Sequence, residues 1–378
     1  MECTLYLSDD CNLKCRYCYE GHEKLHNKIS KKTIEKAIDF IIKINRDDKI
    51  DLVFLGGEPM LNKEMMYYTI QYIKQYYNIQ FNYSITTNGT CIEEKDIEFM
   101  YENKFEISLS VDGKRETHNL NRCAKNEKLE LYDKIIYNIN YMVKREIPFT
   151  VRMTVTCNNV KYMYDNVLYF FDIGVRKFDI AFNEFENWDV CYLQILEHEL
   201  QKLDLWYLSN LRDIEYLNLF DGKITFFIVE RETFFCNAGK KEHFVINSKG
   251  EFYPCNYVCN KECWKIGTLD TKYSEKDCFN HIKEHLASDS KCRLCEIRFA
   301  CIGARCGFKN YMLTGKFNLP SNNLCNLEKI LYKHNEIVFM EMYYRKEERF
   351  LQFYKTAIEK EYKLTEWIIK LAEREEQC

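Results

Sequence analysis

The sequence Cys11-Asn-Leu-Lys-Cys15-Arg-Tyr-Cys18 follows closely on a short apolar stretch, residues 3–7, which is typical of a β-strand. Three thiolates on a loop of eight residues can hold three corners of an iron–sulfur cubane and leave its fourth iron open. A structural zinc site usually has four protein ligands, often as two separated pairs. The stretch therefore predicts an iron–sulfur centre with one open iron, placed just after the first strand.

The cysteine content supports a metal rather than a disulfide framework. The chain has 19 cysteines in 378 residues, and its first residues have neither the basic region nor the apolar core of a signal peptide. We therefore expect a cytoplasmic protein, in which thiols stay reduced and dense cysteine more often indicates metal binding. Soft thiolates select iron–sulfur clusters or zinc.

Composition excludes two other classes of protein. Apolar residues make up 46% and charged residues 30% of the chain, as in soluble globular proteins. The net charge of -4 gives no electrostatic support for a nucleic-acid partner. No apolar run approaches the ~18 residues that a membrane helix requires. We expect neither a nucleic-acid nor a membrane partner.

Strand-like and helix-like stretches alternate in the first half of the chain. Ser30 can cap the first helix, whose apolar residues recur at helical spacing. Further helices are predicted at about residues 63–77, 93–103, 128–145, 160–172 and 193–211. The predicted strands are 3–7, 51–55, 81–86, 105–111, 149–156 and 177–182. Six strand–helix units predict an α/β fold with a parallel sheet, a partial (β/α)6 barrel similar to a TIM barrel, with functional residues at the carboxyl ends of its strands.

Changes in composition and periodicity along the sequence predict three domains. After about Phe226, helical periodicity weakens and cysteines become frequent. From Ser321 onward there is no glycine or proline, which favours one or two charged helices. The predicted boundaries are 1–225 for the barrel, 226–328 for a small cysteine-rich domain and 329–378 for a helical tail that packs on the barrel.

The spacing of Cys11, Cys15 and Cys18, with an aromatic residue before the last cysteine, resembles the radical SAM superfamily. The resemblance continues at the predicted strand ends, where the chain has Gly56-Gly57-Glu58-Pro59, Thr87-Asn88-Gly89, Ser110-Val111-Asp112-Gly113 and His118-Asn-Leu-Asn-Arg122. It implies a [4Fe–4S] cluster that binds S-adenosyl-L-methionine (SAM). The residues that it assigns to the cofactor are Tyr17, Gly56, Gly57, Glu58, Thr87, Asn88, Ser110 and Arg122.

Individual roles in the SAM site are also implied by the resemblance. The glycine-rich motif would meet the SAM amino group, Ser110 and Arg122 would hold its carboxylate, and Tyr17 would lie against the adenine. A guanidinium fork suits a carboxylate. Taken alone, Asn88-Gly89 is also typical of a turn, Arg122 of a solvated charge and Tyr17 of packing.

A second set of cysteines resembles the SPASM domain, which binds two auxiliary clusters in radical SAM enzymes that modify peptides and proteins. Its members here are Cys236, Cys255, Cys292, Cys295, Cys301, Cys306 and Cys325. By position, Cys292, Cys295, Cys301 and Cys325 would bind a distal [4Fe–4S] cluster. Cys236, Cys255 and Cys306 would bind a nearer one, although four residues separate Cys301 from Cys306 where the family usually has three. The fourth ligand of the nearer cluster is open between Cys259, Cys263, Cys278 and none, and zinc is the alternative metal for this region.

The resemblance implies reductive cleavage of SAM to a 5′-deoxyadenosyl radical, which takes a hydrogen atom from a peptide or protein substrate. An electron donor such as flavodoxin or ferredoxin is implied as a partner, and no catalytic residue is assigned. Because the barrel begins almost at Met1, we expect leader-peptide binding to need a separate protein or the helical tail.

Two groups of SPASM enzymes are similar to this chain. Anaerobic sulfatase-maturing enzymes oxidise cysteine or serine to formylglycine, and they carry an aspartate base directly after the cysteine that matches Cys255. This chain has Asn256 there, and an amide cannot accept the proton. Residues 237–252 also lack the further cysteine of those enzymes. The sequence therefore favours the peptide maturases that form thioether or carbon–carbon crosslinks. An electron carrier or redox sensor is a third hypothesis, and the predicted SAM pocket argues against it.

Overall fold

The computed structural model describes residues 1–23, 25–126, 131–230, 238, 243–271, 275–288, 291–301 and 306–376. Within these ranges, no helix could span a lipid bilayer.

The strands match the predicted ones closely, with six additional short strands. They are β1 Glu2–Ser8, β2 Leu13–Cys15, β3 Lys49–Gly56, β4 Gln80–Thr87, β5 Glu106–Ser110, β6 Arg122–Ala124, β7 Phe149–Val155, β8 Lys177–Phe182, β9 Tyr216–Leu217, β10 His243–Ile246, β11 Glu251–Tyr253 and β12 Gly267–Thr268. The six predicted strands are β1, β3, β4, β5, β7 and β8. Buried and less buried residues alternate along β3 and β4, as expected for strands between two layers.

The described part of the chain has 13 α-helices, and the five for which the sequence predicts bounds lie close to those bounds. The helices are α1 Lys31–Ile44, α2 Lys63–Tyr76, α3 Glu94–Glu102, α4 Arg115–Asn121, α5 Tyr132–Lys144, α6 Met163–Ile173, α7 Val190–Ser209, α8 Ile224–Ile228, α9 Glu275–Glu284, α10 Gly307–Thr314, α11 Asn322–Tyr344, α12 Glu348–Glu359 and α13 Glu366–Glu376. The predicted cap of α1 is confirmed, because the Ser30 side chain accepts a hydrogen bond from the Thr33 amide.

Contacts divide the chain into two compact units. The first consists of Met1–Met153, Tyr169–Val175 and Asn237–His285, and the second of Thr154–Leu168, Arg176–Cys236 and Leu286–Cys378. The boundaries predicted from sequence texture, 1–225, 226–328 and 329–378, stay a prediction.

A parallel sheet is the centre of the first unit. Its strands lie in the order β12-β11-β10-β1-β3-β4-β5-β7, and every neighbouring pair from β10 to β7 is parallel. The carboxyl ends of these strands therefore lie along one edge, where the predicted site residues follow β1, β3, β4 and β5. The predicted α/β class with a central parallel sheet is confirmed.

The second unit contains the parallel pair β8–β9 and the long C-terminal helices. The prediction of one or two tail helices is wrong, because α11, α12 and α13 are three. Lys346 and Glu361 end α11 and α12 in the left-handed conformation, with φ of 57° and 53°. Glycine is the usual residue at such a position, so its absence from the tail concealed both breaks.

Candidate functional site

The loop that carries Cys11, Cys15 and Cys18 lies between β1 and α1 in the first unit. Its middle forms β2, which pairs antiparallel with β6 and places Cys15 opposite Arg122. The Cys15 carbonyl accepts a hydrogen bond from the Cys18 amide at 3.2 Å. All three cysteines are half-buried. Three thiols on an ordered loop fit a cluster with one open iron.

Gly56, the last residue of β3, and Gly57, which follows it, support this loop directly. The Gly57 amide donates to the Ser8 carbonyl at 2.9 Å, and the Glu58 amide donates to the Asp10 carbonyl at 2.8 Å. A Cβ atom on Gly56 would lie 2.1 Å from the Ser8 oxygen, and one on Gly57 would lie 2.5 Å from the Asp10 oxygen. The close approach that requires glycine here is therefore to the backbone that leads into the cysteine loop.

Glu58 connects the ends of β3 and β4. Its buried carboxylate accepts hydrogen bonds from the Met60 amide at 3.0 Å, the Thr87 hydroxyl at 2.6 Å and the Asn88 amide at 2.8 Å. Burial raises the pKa of Glu58, and these donors oppose that rise by favouring its ionised form. Both oxygens of the Glu58 carboxylate thus accept hydrogen bonds from the protein itself.

Asn88 contacts the cysteine loop. The side-chain Nδ2 of Asn88 donates to Asn12 Oδ1 at 2.9 Å and lies 3.8 Å from Cys11 Sγ. The side-chain Nδ2 of Asn12 in turn donates to the Thr90 hydroxyl at 2.7 Å. This turn after β4 therefore holds the first cysteine in place, a contact that the sequence analysis missed because nothing marks Asn12 as its partner.

Arg122, Asp112 and Tyr17 form one buried group. Arg122 Nε donates to Asp112 Oδ1 at 3.0 Å, and the Tyr17 hydroxyl donates to Asp112 Oδ2 at 2.6 Å. The guanidinium lies over the Tyr17 ring, 5.3 Å from its centroid. Arg122 is therefore not a solvated charge, and its two Nη groups make no hydrogen bond within the described part of the chain, which suits a carboxylate ligand. Asp112 was missed as a functional residue, although its place at the end of β5 could have indicated it.

Ser110 and His118 complete this end of β5. Ser110 is 7% exposed, and its side chain makes no hydrogen bond to the described residues. His118 is buried, and its Nδ1 accepts from the Asp112 amide at 3.4 Å. Burial lowers the pKa of His118 to about 4, so the ring is neutral at physiological pH. All eight residues assigned to the cofactor thus lie in the first unit, and their individual roles stay proposals.

The four cysteines predicted to bind the distal cluster lie together in the second unit. Cys292, Cys295, Cys301 and Cys325 all line one cavity of about 300 Å³. The first two belong to a short stretch around the 3-10 helix Lys291–Leu294, and Cys325 is in the first turn of α11. Four thiols around one cavity fit a four-cysteine cluster.

The set predicted for the nearer cluster is only partly described. Cys236 lies outside the described residues. Cys255 directly precedes a short 3-10 helix, Asn256–Val258, in the first unit, and Cys306 precedes α10 in the second. Of the three candidates for its fourth ligand, Cys259 is half-buried, Cys263 exposed and Cys278 buried.

A protein-family model matches the part of the chain that carries the cysteine loop. A model described as "Radical SAM superfamily" matches residues 5–164, which include the cysteine loop and every residue assigned to SAM. Residues 5–164 therefore contain a radical SAM domain, as the cysteine spacing predicts, and the chain is an enzyme whose cofactors are SAM and an iron–sulfur cluster.

A curated protein and two solved structures are similar to this chain over most of its length. The cysteine-type anaerobic sulfatase-maturating enzyme of Clostridium perfringens (strain 13 / Type A) is 28% identical over 339 residues, which is 78% of this chain and 86% of that protein. The solved structure "Native anSMEcpe with bound AdoMet" has a TM-score of 0.74 and 20% identity, over 88% of this chain and 96% of that one. Streptococcus suis SuiB bound to precursor peptide SuiA has a TM-score of 0.60 and 17% identity, over 85% of this chain and 75% of that one. At these identities the two structures show a shared fold.

Asp112→Asn is expected to weaken SAM binding at least about tenfold, because it removes the charge that positions Arg122 and Tyr17. Equilibrium dialysis of SAM against the reconstituted protein measures this, with iron content as the test of an intact cluster. Asp133→Asn is the control, since Asp133 pairs with Arg115 at an exposed site. An unchanged SAM affinity in Asp112→Asn would contradict the role of this group.

His118 is expected to make stability depend on pH. The pKa of His118 is lowered to about 4 in the folded state, against an ordinary value near 6.5. As the pH falls, His118 is therefore protonated in the unfolded chain at a higher pH than in the folded protein. Stability is therefore lost as the pH falls from 6.5 towards 4, by about 2 kcal/mol between pH 7 and pH 5. Unfolding of wild type and His118→Gln at both pH values measures this, and the variant should lose less. An equal loss in both proteins would exclude His118 as its source; the exposed His198→Gln is the control.

Proposed function

We propose that this enzyme is a maturase that removes hydrogen from a peptide or protein substrate and forms a thioether or carbon–carbon crosslink. The observation that carries the choice of reaction is Asn256, an amide at the position where sulfatase-maturing enzymes have their aspartate base.

The first unit provides the residues that would hold the cofactors. Cys11, Cys15 and Cys18 would bind the cluster, while Ser110 and Arg122 would hold the SAM carboxylate. When bound there, SAM and the cluster would supply a 5′-deoxyadenosyl radical for the abstraction of a hydrogen atom from the substrate. The chain orients SAM through the Asp112–Arg122–Tyr17 group. Auxiliary clusters at the second cysteine set, an electron donor such as flavodoxin or ferredoxin, and a separate leader-binding protein belong to the same proposal.

Asn256 cannot replace a carboxylate base. Its Oδ1 atom is buried and has no hydrogen-bond partner among the described residues. A neutral amide oxygen can accept a hydrogen bond but does not take up the proton of a substrate thiol or hydroxyl. Glu262, the next acidic residue along the chain, has a side chain that is 80% exposed and pairs with Lys265 at 2.5 Å. Neither residue supports formylglycine chemistry.

Formylglycine formation is the second candidate, and the similarity to the Clostridium perfringens enzyme over 86% of that protein favours it. An electron carrier or redox sensor has less support. The Ser110 hydroxyl has no hydrogen-bond partner among the described residues, and together with the guanidinium of Arg122 it suits a small carboxylate ligand. An electron carrier has no need for such a ligand.

Mass spectrometry of the product is expected to separate the two reactions. A peptide encoded beside the gene should lose two hydrogen atoms per crosslink and keep its sulfur. A peptide with the sulfatase modification motif should remain unchanged, whereas its conversion to formylglycine would remove the cysteine sulfur. Formylglycine from the wild-type protein would overturn the proposed reaction but not the superfamily.

Asn256→Asp is the matched variant for this experiment. It restores a carboxylate without changing side-chain size, so it tests whether this position decides the reaction. We expect crosslinking to fall, and any formylglycine to be produced by this variant alone. Equal product from both proteins would show that Asn256 does not determine the reaction.

A further inference from the structure

The last turn of α9 carries a group of metal-binding side chains that the radical SAM chemistry does not use. His281 and Glu284 lie in α9, and His285 follows its last residue. Two histidines four residues apart, with a glutamate between them, lie on one face of a helix. One nitrogen or oxygen atom from each of the three side chains lies within 4.8 Å of the others.

The hydrogen bonds around this group prepare His285 for a metal. The Nδ1 atom of His285 lies 2.9 Å from the His281 carbonyl oxygen. A carbonyl only accepts, so Nδ1 carries the proton and the neutral ring has its lone pair on Nε2. Metal-binding histidines characteristically donate their other N–H to a carbonyl or carboxylate in this way.

His281 is held in place by packing. Its ring lies against the buried Trp264, with centroids 4.2 Å apart. Its Nδ1 lies 3.5 Å from Glu284 Oε2, and its Nε2 is buried without a hydrogen-bond partner among the described residues. Glu284, in contrast, has a side chain that is 69% exposed. The group therefore has a fixed inner side and an outer side open to water.

We propose that His281, Glu284 and His285 bind a Zn²⁺ ion that stabilises the end of α9. Two imidazoles and a carboxylate are ligands that zinc favours, and they contain no thiolate that an iron–sulfur cluster would require. Three protein ligands leave one position for water, which the exposed side of Glu284 allows. This site is independent of the proposed crosslinking reaction.

The test uses the full chain with its clusters reconstituted, so that iron rather than zinc occupies the cluster thiolates. Zn²⁺ alone is added anaerobically, excess metal is removed, and zinc and iron per chain are measured together. We expect wild type to retain about one Zn²⁺ per chain, and His285→Gln to bind it at least about a hundredfold more weakly, because a direct ligand is lost. His198→Gln, which removes an exposed histidine of α7, should bind Zn²⁺ like wild type.

A second variant separates metal loss from misfolding. His281 packs on Trp264, so its replacement also disturbs the core, whereas Glu284 is exposed and Glu284→Gln should leave the fold and iron content unchanged. Weaker zinc binding by Glu284→Gln with wild-type iron supports the site. No retained zinc in wild type, or equal zinc in wild type and His285→Gln, overturns it. Zinc that displaces iron would place the metal at thiolates and also overturn it.

Discussion

Simultaneous replacement of Cys11, Cys15 and Cys18 by alanine is expected to abolish SAM cleavage and to remove one of three clusters. If all three clusters are [4Fe–4S], reconstituted wild type should contain about twelve irons per chain and the variant about eight. The three cysteines lie on one loop held by the β2–β6 pair, so their replacement removes the complete set of ligands proposed for this cluster. Iron analysis and the amount of 5′-deoxyadenosine formed with SAM and reductant measure both effects.

The matched control replaces Cys292, Cys295, Cys301 and Cys325, which line the cavity of the second unit. This variant should also lose about four irons but should still produce 5′-deoxyadenosine, because the residues proposed to bind SAM lie in the first unit. Iron near four per chain in wild type, accompanied by zinc, would contradict the SPASM assignment. A fully loaded wild type that forms no 5′-deoxyadenosine would favour the electron carrier.

Gly56→Ala is expected to cause a severe loss of stability, more than about 4 kcal/mol, or failure to fold. The new Cβ would lie 2.1 Å from the Ser8 carbonyl oxygen, an atom of the backbone that cannot swing away. Gly56 also has a φ of 145°, which side chains strongly disfavour. Because this backbone leads into the cysteine loop, any folded fraction should also bind less iron.

Gly21→Ala is the control for backbone strain alone. Gly21 lies in the same loop, after Cys18, and has a φ of 80°, but no atom lies within 4 Å of a Cβ at that position. Its replacement should cost only about 1 kcal/mol. Thermal unfolding and iron content of both variants measure the difference. Similar stability in the two would show that the contact with Ser8 can be relieved.

The sequence alone determined the features that depend on local pattern. Strands β1, β3, β4, β5, β7 and β8 were predicted within two residues at each end, because period-2 alternation and polar or glycine punctuation are local signals. The spacing of Cys11, Cys15 and Cys18 likewise predicts a cluster with three protein ligands, since three thiolates on a loop of eight residues can reach three irons of one cubane. The family resemblance then supplied the cofactor and the names of its candidate ligands.

The tertiary structure alone decided which groups meet. Asp112 pairs with Arg122 and Tyr17 because strand ends and the cysteine loop converge from distant parts of the chain, and no spacing encodes that contact. The same holds for Gly56, whose lack of a Cβ serves the Ser8 backbone 48 residues earlier in the sequence. The sequence does not predict the left-handed residues that end α11 and α12, because Lys346 and Glu361 are not residues typical of such a position. The local sequence pattern determines the secondary-structure elements and indicates which cysteines can bind a cluster. Long-range packing determines which side chains contact one another.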